Sequence, residues 1–298
     1  VIPDLAAEVA ALIGRPLRAV EAIAVAVSGG PDSLALLLLA HRAFGDRVHA
    51  VTVDHGLRPE AVDEAALVAE YAASLGVSHR TLRWDGPYSA ANLQAAARTA
   101  RYRLMGGYCT DLGIGWLATA HHQGDQAETL LLRLARGSGS GGLSGIRTRR
   151  PLLPGVDLLR PLLGASKADL AAVVVVADWH AVDDPSNRAP RFDRTRARAT
   201  LAANPWLAPA RLAASAAHLG EIEAALVWTA DIAWRGRVAA TGAGIVIDAA
   251  GLPRALARRL LLRAVVTLVP GSAPRGPSID RLLDRLNAGK EATLAGVA

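Results

Sequence analysis

With 298 residues, 51% of them hydrophobic, the chain can bury a substantial core, and two domains are expected rather than one. Apolar runs such as "LALLLLA" (34–40) and "AAVVVVA" (171–177) are far too short to cross a bilayer, the N-terminal stretch carries Asp4 and Glu8 instead of a basic-then-apolar signal, and the single cysteine, Cys109, supports neither a disulfide framework nor a Cys-based zinc site, so a cytoplasmic protein is the default expectation. The net charge of +6 is uneven: residues 1–150 hold 15 Arg against 14 Asp and Glu, residues 151–298 hold 18 Lys and Arg against 13, and the second half is therefore expected to meet a polyanion.

In chain order, the first half alternates between strands and helices. "AIAVAV" (22–27) reads as a buried strand, and "PDSLALLLLAHRAFG" (31–45) as a helix with Pro31 in its first turn and Gly45 past its end. "VHAVTV" (48–53) is a second strand, a helix follows over about 60–75, and "VSHRTL" (77–82) is a third strand. An Ala/Arg-rich helix spans about 90–109, "GWLATA" (115–120) is a fourth strand, and 123–136 is a helix stopped by Gly137. Continuous apolar strands between helices predict an α/β fold, a doubly wound, Rossmann-like parallel sheet covered on both faces. Ligands of such sheets sit at the carboxyl ends of the strands. The turn after the first strand, "DHGLRPE" after the second and "HHQGDQ" after the fourth all fall there.

"RGSGSGGLSGIRTRRPLLPG" (136–155) has no periodicity, and its Arg136, Arg147, Arg149 and Arg150 beside the crevice favour a mobile lid over an inert linker. "SKAD" (166–169) has capping-box spacing ahead of a helix. From about 208 the chain reads as mostly helical with one short strand, "GIVID" (244–248), giving a first domain of 1–210 and a smaller, mostly helical second domain of 211–298.

The turn Ser28-Gly29-Gly30-Pro31-Asp32-Ser33 carries the most chemistry. Glycines at a helix N-terminus let backbone N–H groups approach phosphates. The turn lacks the lysine of a Walker loop and the spacing of a dinucleotide fingerprint. The charge of a triphosphate must then be offset by backbone dipoles and a metal, with Asp32 as the magnesium ligand. Such a cradle suits departing pyrophosphate better than a transferred γ-phosphoryl group. The plain alternative is a tight strand–helix turn with no ligand.

"SGGPDS" resembles the signature of the PP-loop ATP pyrophosphatases, which cleave ATP to AMP and pyrophosphate while adenylating a carbonyl oxygen. "VDHGLRPEA" (53–61), "NLQAAARTARYRLM" (92–105), "TAHHQGDQAETLLLRLARGSG" (119–139), "GLSGI" (142–146), "LLRPLL" (158–163) and "DDPSN" (183–187) resemble, in order and spacing, the tRNA(Ile)-lysidine synthetases of that superfamily, over roughly residues 22–200. The resemblance implies ATP and Mg2+, an isoleucine tRNA with a CAU anticodon, and free L-lysine. Adenylation of the 2-carbonyl oxygen of the first anticodon cytidine would be followed by attack of the lysine ε-amino group. A homodimer is left open. The second domain would contact the tRNA.

Residue by residue, the turn Ser28 to Ser33 is expected to hold ATP, together with Val53, His55 and His121 lining its pocket. His55 can equally be no more than a strand end, and His121 and His122 lack the further ligands of a zinc site. On the helix 123–136, Ala127, Leu130, Leu131 and Leu134 are expected to face the core, while Asp125, Glu128 and Thr129 share another face. Asp125 is expected to hold the lysine amine or the metal, with Gln126, Glu128 and Arg98 as further substrate contacts; the alternative is a carboxylate placed to suit the helix dipole. Arg98 and Arg101 share a helix face, and Arg101 is expected to act on phosphate or the transition state.

Arg188, Arg191, Arg194, Arg196 and Arg198, five arginines in eleven residues, match RNA phosphates better than a solvated face. Phe192 could stack on a base or sit in a core. Two positions depart from the family: Gly124 stands where a first Asp is usual, and Thr195 where an Asn is usual. Two other readings stay open. One is another adenylating PP-loop enzyme such as a tRNA thiolase, against which the lone Cys109 argues. The other is an RNA-binding member that has lost catalysis, which Gly124 favours.

Overall fold

A computed structural model describes residues 2–56, 60–86, 93–182, 193–242, 244–274 and 276–296. The chain divides into two compact units, Val1–His218 and Leu219–Ala298.

The first unit opens with α1 (Leu5–Ile13), capped by the Asp4 carboxylate, which accepts from the N–H groups of Ala6 and Ala7. Strand β1 (Ile23–Ala26) follows, then α2 (Pro31–Phe44), β2 (Val48–Asp54), α3 (Glu60–Ser74), β3 (Ser78–Arg83), α4 (Leu93–Asp111), β4 (Trp116–Ala118) and α5 (Gln123–Ala135). A short helix α6 (Ser140–Leu143), strands β5 (Arg149–Leu153) and β6 (Val156–Leu159), α7 (Lys167–Val176) and α8 (Asp193–Ala203) continue the unit. Helix α9 (Pro209–Arg237) runs across the boundary. The sheet order is β3-β2-β1-β4-β6-β5. All neighbours pair in parallel except β5, which closes the edge antiparallel to β6.

Strands with no polar period are buried on both faces, and the two faces are covered by different helices. On one side α2, apolar nearly all round, packs with Leu5 and Val9 of α1, Val68 of α3 and Leu170, Val173 and Val174 of α7. On the other, Tyr102, Met105 and Cys109 of α4 lie against Ala24, Val51, Leu117 and Leu158 of the strands. The expected doubly wound α/β fold is thus present.

The segment 136–155, expected as an aperiodic loop serving as a mobile lid, has regular structure. It contains α6 and β5, and β6 follows at once; Pro151, Pro154 and Gly155 had masked a hairpin whose register shifts between Pro151 and Leu153. Helix α1 lies ahead of the first expected strand. Within α5, Ala127 and Leu130 are buried as expected, but Leu134 is 51% exposed because the last turn runs past the core. Ser166 caps α7, accepting from the Asp169 N–H at 3.1 Å.

The second unit holds the rest of α9, a hairpin of β7 (Val238–Thr241) and β8 (Gly244–Ile247), α10 (Arg254–Leu268) and α11 (Gly276–Asn287). The expected strand "GIVID" is half of a hairpin, whose other strand "VAAT" carries too little alternation to stand out in the sequence. Arginines here are matched by acids: Arg259 grips Glu223 through both nitrogens (2.6 and 2.8 Å), Arg254 meets Asp284 at 2.6 Å, and Arg258 meets Asp280 at 2.7 Å. Arg263 meets Asp231 at 2.6 Å and lies over the Trp234 ring at 4.3 Å.

Cys109 is fully buried among apolar side chains, and burial pushes its thiol up to about 12. The native protein should therefore not react with a disulfide reagent such as dithionitrobenzoate, and should release one equivalent of chromophore in concentrated guanidinium. Fast labelling of the native protein would contradict the packing of α4 on the sheet.

Candidate active site

Strand β1 lies between β2 and β4, and the chain leaves β1 and β4 in opposite directions across the sheet. The loops after these two strands therefore part and leave a crevice at the carboxyl edge, the place where such sheets bind ligands. The glycine turn and the segment Thr119–His122 face each other there.

The turn is built by short hydrogen bonds. Ser33 Oγ donates to the Gly30 carbonyl at 2.9 Å and accepts from the Ser28 N–H at 3.1 Å and the Ser28 hydroxyl at 3.3 Å. Gly29 has φ 81°, and a Cβ there would come within 3.0 Å of Val182 Cγ2, so the position needs glycine twice over. Pro31 starts α2 where no N–H donor is needed. Asp32 sits in the first turn of α2, with Oδ1 buried and without a hydrogen-bond partner among the described residues.

His122 joins this turn to α5. Its Nδ1 accepts from the Gly124 N–H at 2.9 Å, which caps α5 and leaves the ring proton on Nε2. Nε2 points at Asp32 Oδ2, 3.6 Å away, and lies 3.9 Å from Asp125 Oδ2. Asp125 returns the cap by accepting from the His122 N–H at 3.1 Å. Burial pushes the His122 pKa down, but the carboxylates of Asp32, Asp125 and Glu128 outweigh burial and hold it above the ordinary histidine range. Gly124 belongs to the same arrangement: a Cβ there would lie 2.6 Å from His122 Cε1. The ring occupies the space that a side chain at 124 would need.

His121 takes the opposite state. Burial lowers its pKa, Arg160, Arg98 and Arg194 lower it further against Asp125, and Nδ1 pairs with the Thr119 hydroxyl at 3.0 Å. It is a neutral imidazole in the crevice. His55 follows β2, meets Trp84 edge-on at 6.0 Å, and is likewise held below its usual pKa by burial and by Arg101. Val53 is half-buried against the α4 side of the core.

On α4, Arg98 and Arg101 lie over the Tyr102 ring at 5.2 and 5.4 Å. Arg101 Nε is buried without a partner among the described residues, and burial lowers its pKa. Gln126 is spent on structure: its amide donates to the Ile146 carbonyl at 3.0 Å and accepts from the Ile146 N–H at 2.6 Å. Glu128 and Arg198, expected on different substrates, grip each other at 2.8 and 3.3 Å and tie α8 to α5. Arg194 and Arg196 are exposed on α8, while Arg188, Arg191 and Phe192 lie outside the described residues. Arg160 was not singled out from the sequence. It is 5% exposed, and a lone arginine inside the apolar run "LLRPLL" was the signal, because a charge is costly to bury without a use.

Comparison with known proteins gives the family. Residues 3–204 match the family described as PP-loop domain. The chain is 42% identical over 279 residues to the tRNA(Ile)-lysidine synthase of Zymomonas mobilis, covering 92% of this chain and 84% of that one. It is 45% identical over 278 residues to the enzyme of that name from Novosphingobium aromaticivorans, with the same coverage, and 46% over 272 residues to that of Methylobacterium nodulans, covering 89% and 80%. Among solved structures, the U34-tRNA thiolase NcsA of Methanococcus maripaludis shares the fold with a TM-score of 0.60 at 15% identity, over 73% of this chain and 78% of that one. The glycine turn, the capped α5 and these relatives together place the chain in the PP-loop family, among the tRNA(Ile)-lysidine synthases.

Proposed function

We propose that the protein joins free L-lysine to the first anticodon cytidine of an isoleucine tRNA bearing CAU, in the cytoplasm, in two steps. The cytidine 2-carbonyl oxygen attacks the α-phosphorus of ATP, and pyrophosphate leaves. The lysine ε-amino group, having given up a proton, then bonds to C2, and the C2–O bond breaks to release AMP. The observation that carries this reading is the meeting of the glycine turn with the N-terminus of α5 through His122, between Asp32 and Asp125. The relatives' shared name supports tRNA(Ile) as the substrate and lysidine as the product.

The backbone N–H groups of the turn and the α2 N-terminus receive the phosphates that depart. The buried, unpartnered Asp32 Oδ1 fits a cation ligand, and no group of three or more His, Cys, Asp and Glu that could hold a metal occurs among the described residues. That donor set suits magnesium, which takes one or two carboxylates and completes its shell with phosphate and water. Bound there, magnesium would offset charge on the phosphates. Arg101, buried and unpaired at Nε, is positioned to stabilise charge on the α-phosphate. Asp125 offers its carboxylate to the lysine amine, and neutral His121 lines the nucleotide side without adding charge.

Isoleucine tRNA transcript with a CAU anticodon, ATP, magnesium and labelled lysine should give label retained on the RNA. Asp32→Ala should lower AMP release by roughly two orders of magnitude or more. AMP release that survives this change would remove the metal role from Asp32, and absence of label on the RNA with the wild type would sink the ligase reading.

Gly124→Ala tests the His122 bridge. Alanine gains up to about 1 kcal/mol of helix propensity, and loss of the cap costs about the same, so the melting temperature should barely move. AMP release should still fall about tenfold or more, because His122 is pushed from Asp32. Full activity with an unchanged melting curve would show that the bridge is dispensable.

A further inference from the structure

A cavity of about 440 Å³ opens beside the crevice, and none of the residues of the glycine turn lines it. Six arginines do: Arg98 of α4, Arg133 of α5, Arg147 before β5, Arg150 of β5, Arg160 after β6, and Arg194 of α8. No ion pair joins any of them to a carboxylate among the described residues, in contrast to the arginines of the second unit. Their anchors are backbone and aromatic. Arg133 donates to the carbonyls of Gly142 and Gly145, Arg160 donates to the Arg147 carbonyl at 2.5 Å, and Arg150 lies over the Tyr102 ring at 5.1 Å.

Arg160 is 95% buried with Nε unpartnered, so a charged donor is held inside the cavity wall with capacity left over. Burial lowers the pKa of Arg160, and neighbouring Arg150 and Arg98 lower it further against the opposing effect of Tyr102; burial and Arg147 lower that of Arg133. Like charges are concentrated here, and among the described residues no carboxylate pairs with them.

We propose that this cavity is a second anion site, which seats backbone phosphates of the RNA next to the base being modified. The inference rests on the ligase reading above for the identity of the RNA. Guanidinium forks match phosphate oxygens in pairs, as ammonium groups do not. Six of them, drawn from separate elements, exceed what one phosphate can use and fit a chain of phosphodiesters. The nucleotide's own phosphates already have the glycine turn. The volume lies in the range of pockets that enclose a small ligand, enough for a sugar–phosphate unit. The cavity's charge also reaches His121, so an RNA held there borders the crevice.

The test uses the full chain carrying Arg147→Gln and Arg150→Gln together. Binding of labelled isoleucine tRNA is followed by fluorescence anisotropy over a range of potassium chloride, and ATP binding by calorimetry. The RNA Kd should weaken about tenfold at low salt, the slope of log Kd against log salt should fall by about one to two, and the ATP Kd should stay within about twofold. The Lys pair at the same positions should restore most of the slope but only part of the affinity, since lysine keeps the charge and loses the fork. An unchanged RNA Kd and slope would overturn the proposal. So would weakened ATP binding with RNA binding intact, which would assign the cavity to nucleotide phosphates. If the double variant fails to fold, Arg147→Gln alone, an exposed site, should lower the slope by about half as much, and no change there overturns the proposal equally. Lysidine formation by the wild type is scored separately: an RNA-binding loss in a protein that makes no lysidine supports the cavity and refutes the ligase reading.

Discussion

One imidazole facing two ways holds the active centre together. His122 accepts a backbone N–H at Nδ1 and so caps α5, and the same choice of tautomer aims Nε2–H at Asp32 in the first turn of α2. Because β1 and β4 are adjacent, the two helices that grow from them start close enough for one ring to span the gap. Asp32, Asp125 and Glu128 draw a second proton toward the ring, and the Gly124 N–H on Nδ1 opposes it. A side chain at 124 would need the space the ring fills, so the glycine there and the position of His122 go together.

Much of this was legible from residues that are local in sequence. Three strands of the sheet stand as apolar runs between Gly and Pro punctuation, while the edge strand β3 is largely polar and exposed, and the glycine turn and "HHQGDQ" sit directly at strand ends, so their meeting follows from topology. The partners that were illegible are distant or spent on the fold. Glu128 and Arg198 lie 70 positions apart, and nothing in either segment announces the other. Gln126 reads as a polar residue at a ligand site, yet both ends of its amide are used on one peptide unit of the following loop. Strand β5 combines two arginines and a proline on a sheet edge, where neither alternation nor continuous apolar character is required. Tyr102 carries no mark in the sequence, and only the three guanidiniums over its ring single it out.

Counting charge by halves of the sequence located the basic excess coarsely. In the second unit several arginines are matched by carboxylates at 2.6 to 2.8 Å, and these exposed or half-exposed pairs hold α9, α10 and α11 together while presenting little net field. The concentrated positive charge sits in the first unit, which is nearly neutral over its first 150 residues. Spatial gathering of Arg98, Arg133, Arg147, Arg150, Arg160 and Arg194 makes a strong local field that no running sum along the chain displays.

Helix α5 carries both regions on one rigid rod. Asp125 lies in its first turn and Arg133 in its last, eight residues on, a rise of about 12 Å. The Gln126–Ile146 strap and the Glu128–Arg198 pair pin the rod along its length, so this spacing resists adjustment. The helix is therefore a ruler. On the proposed reading it would set how far a reacting base can stand from the phosphates that anchor its strand, and an RNA whose chain cannot span that interval would be held without being aligned.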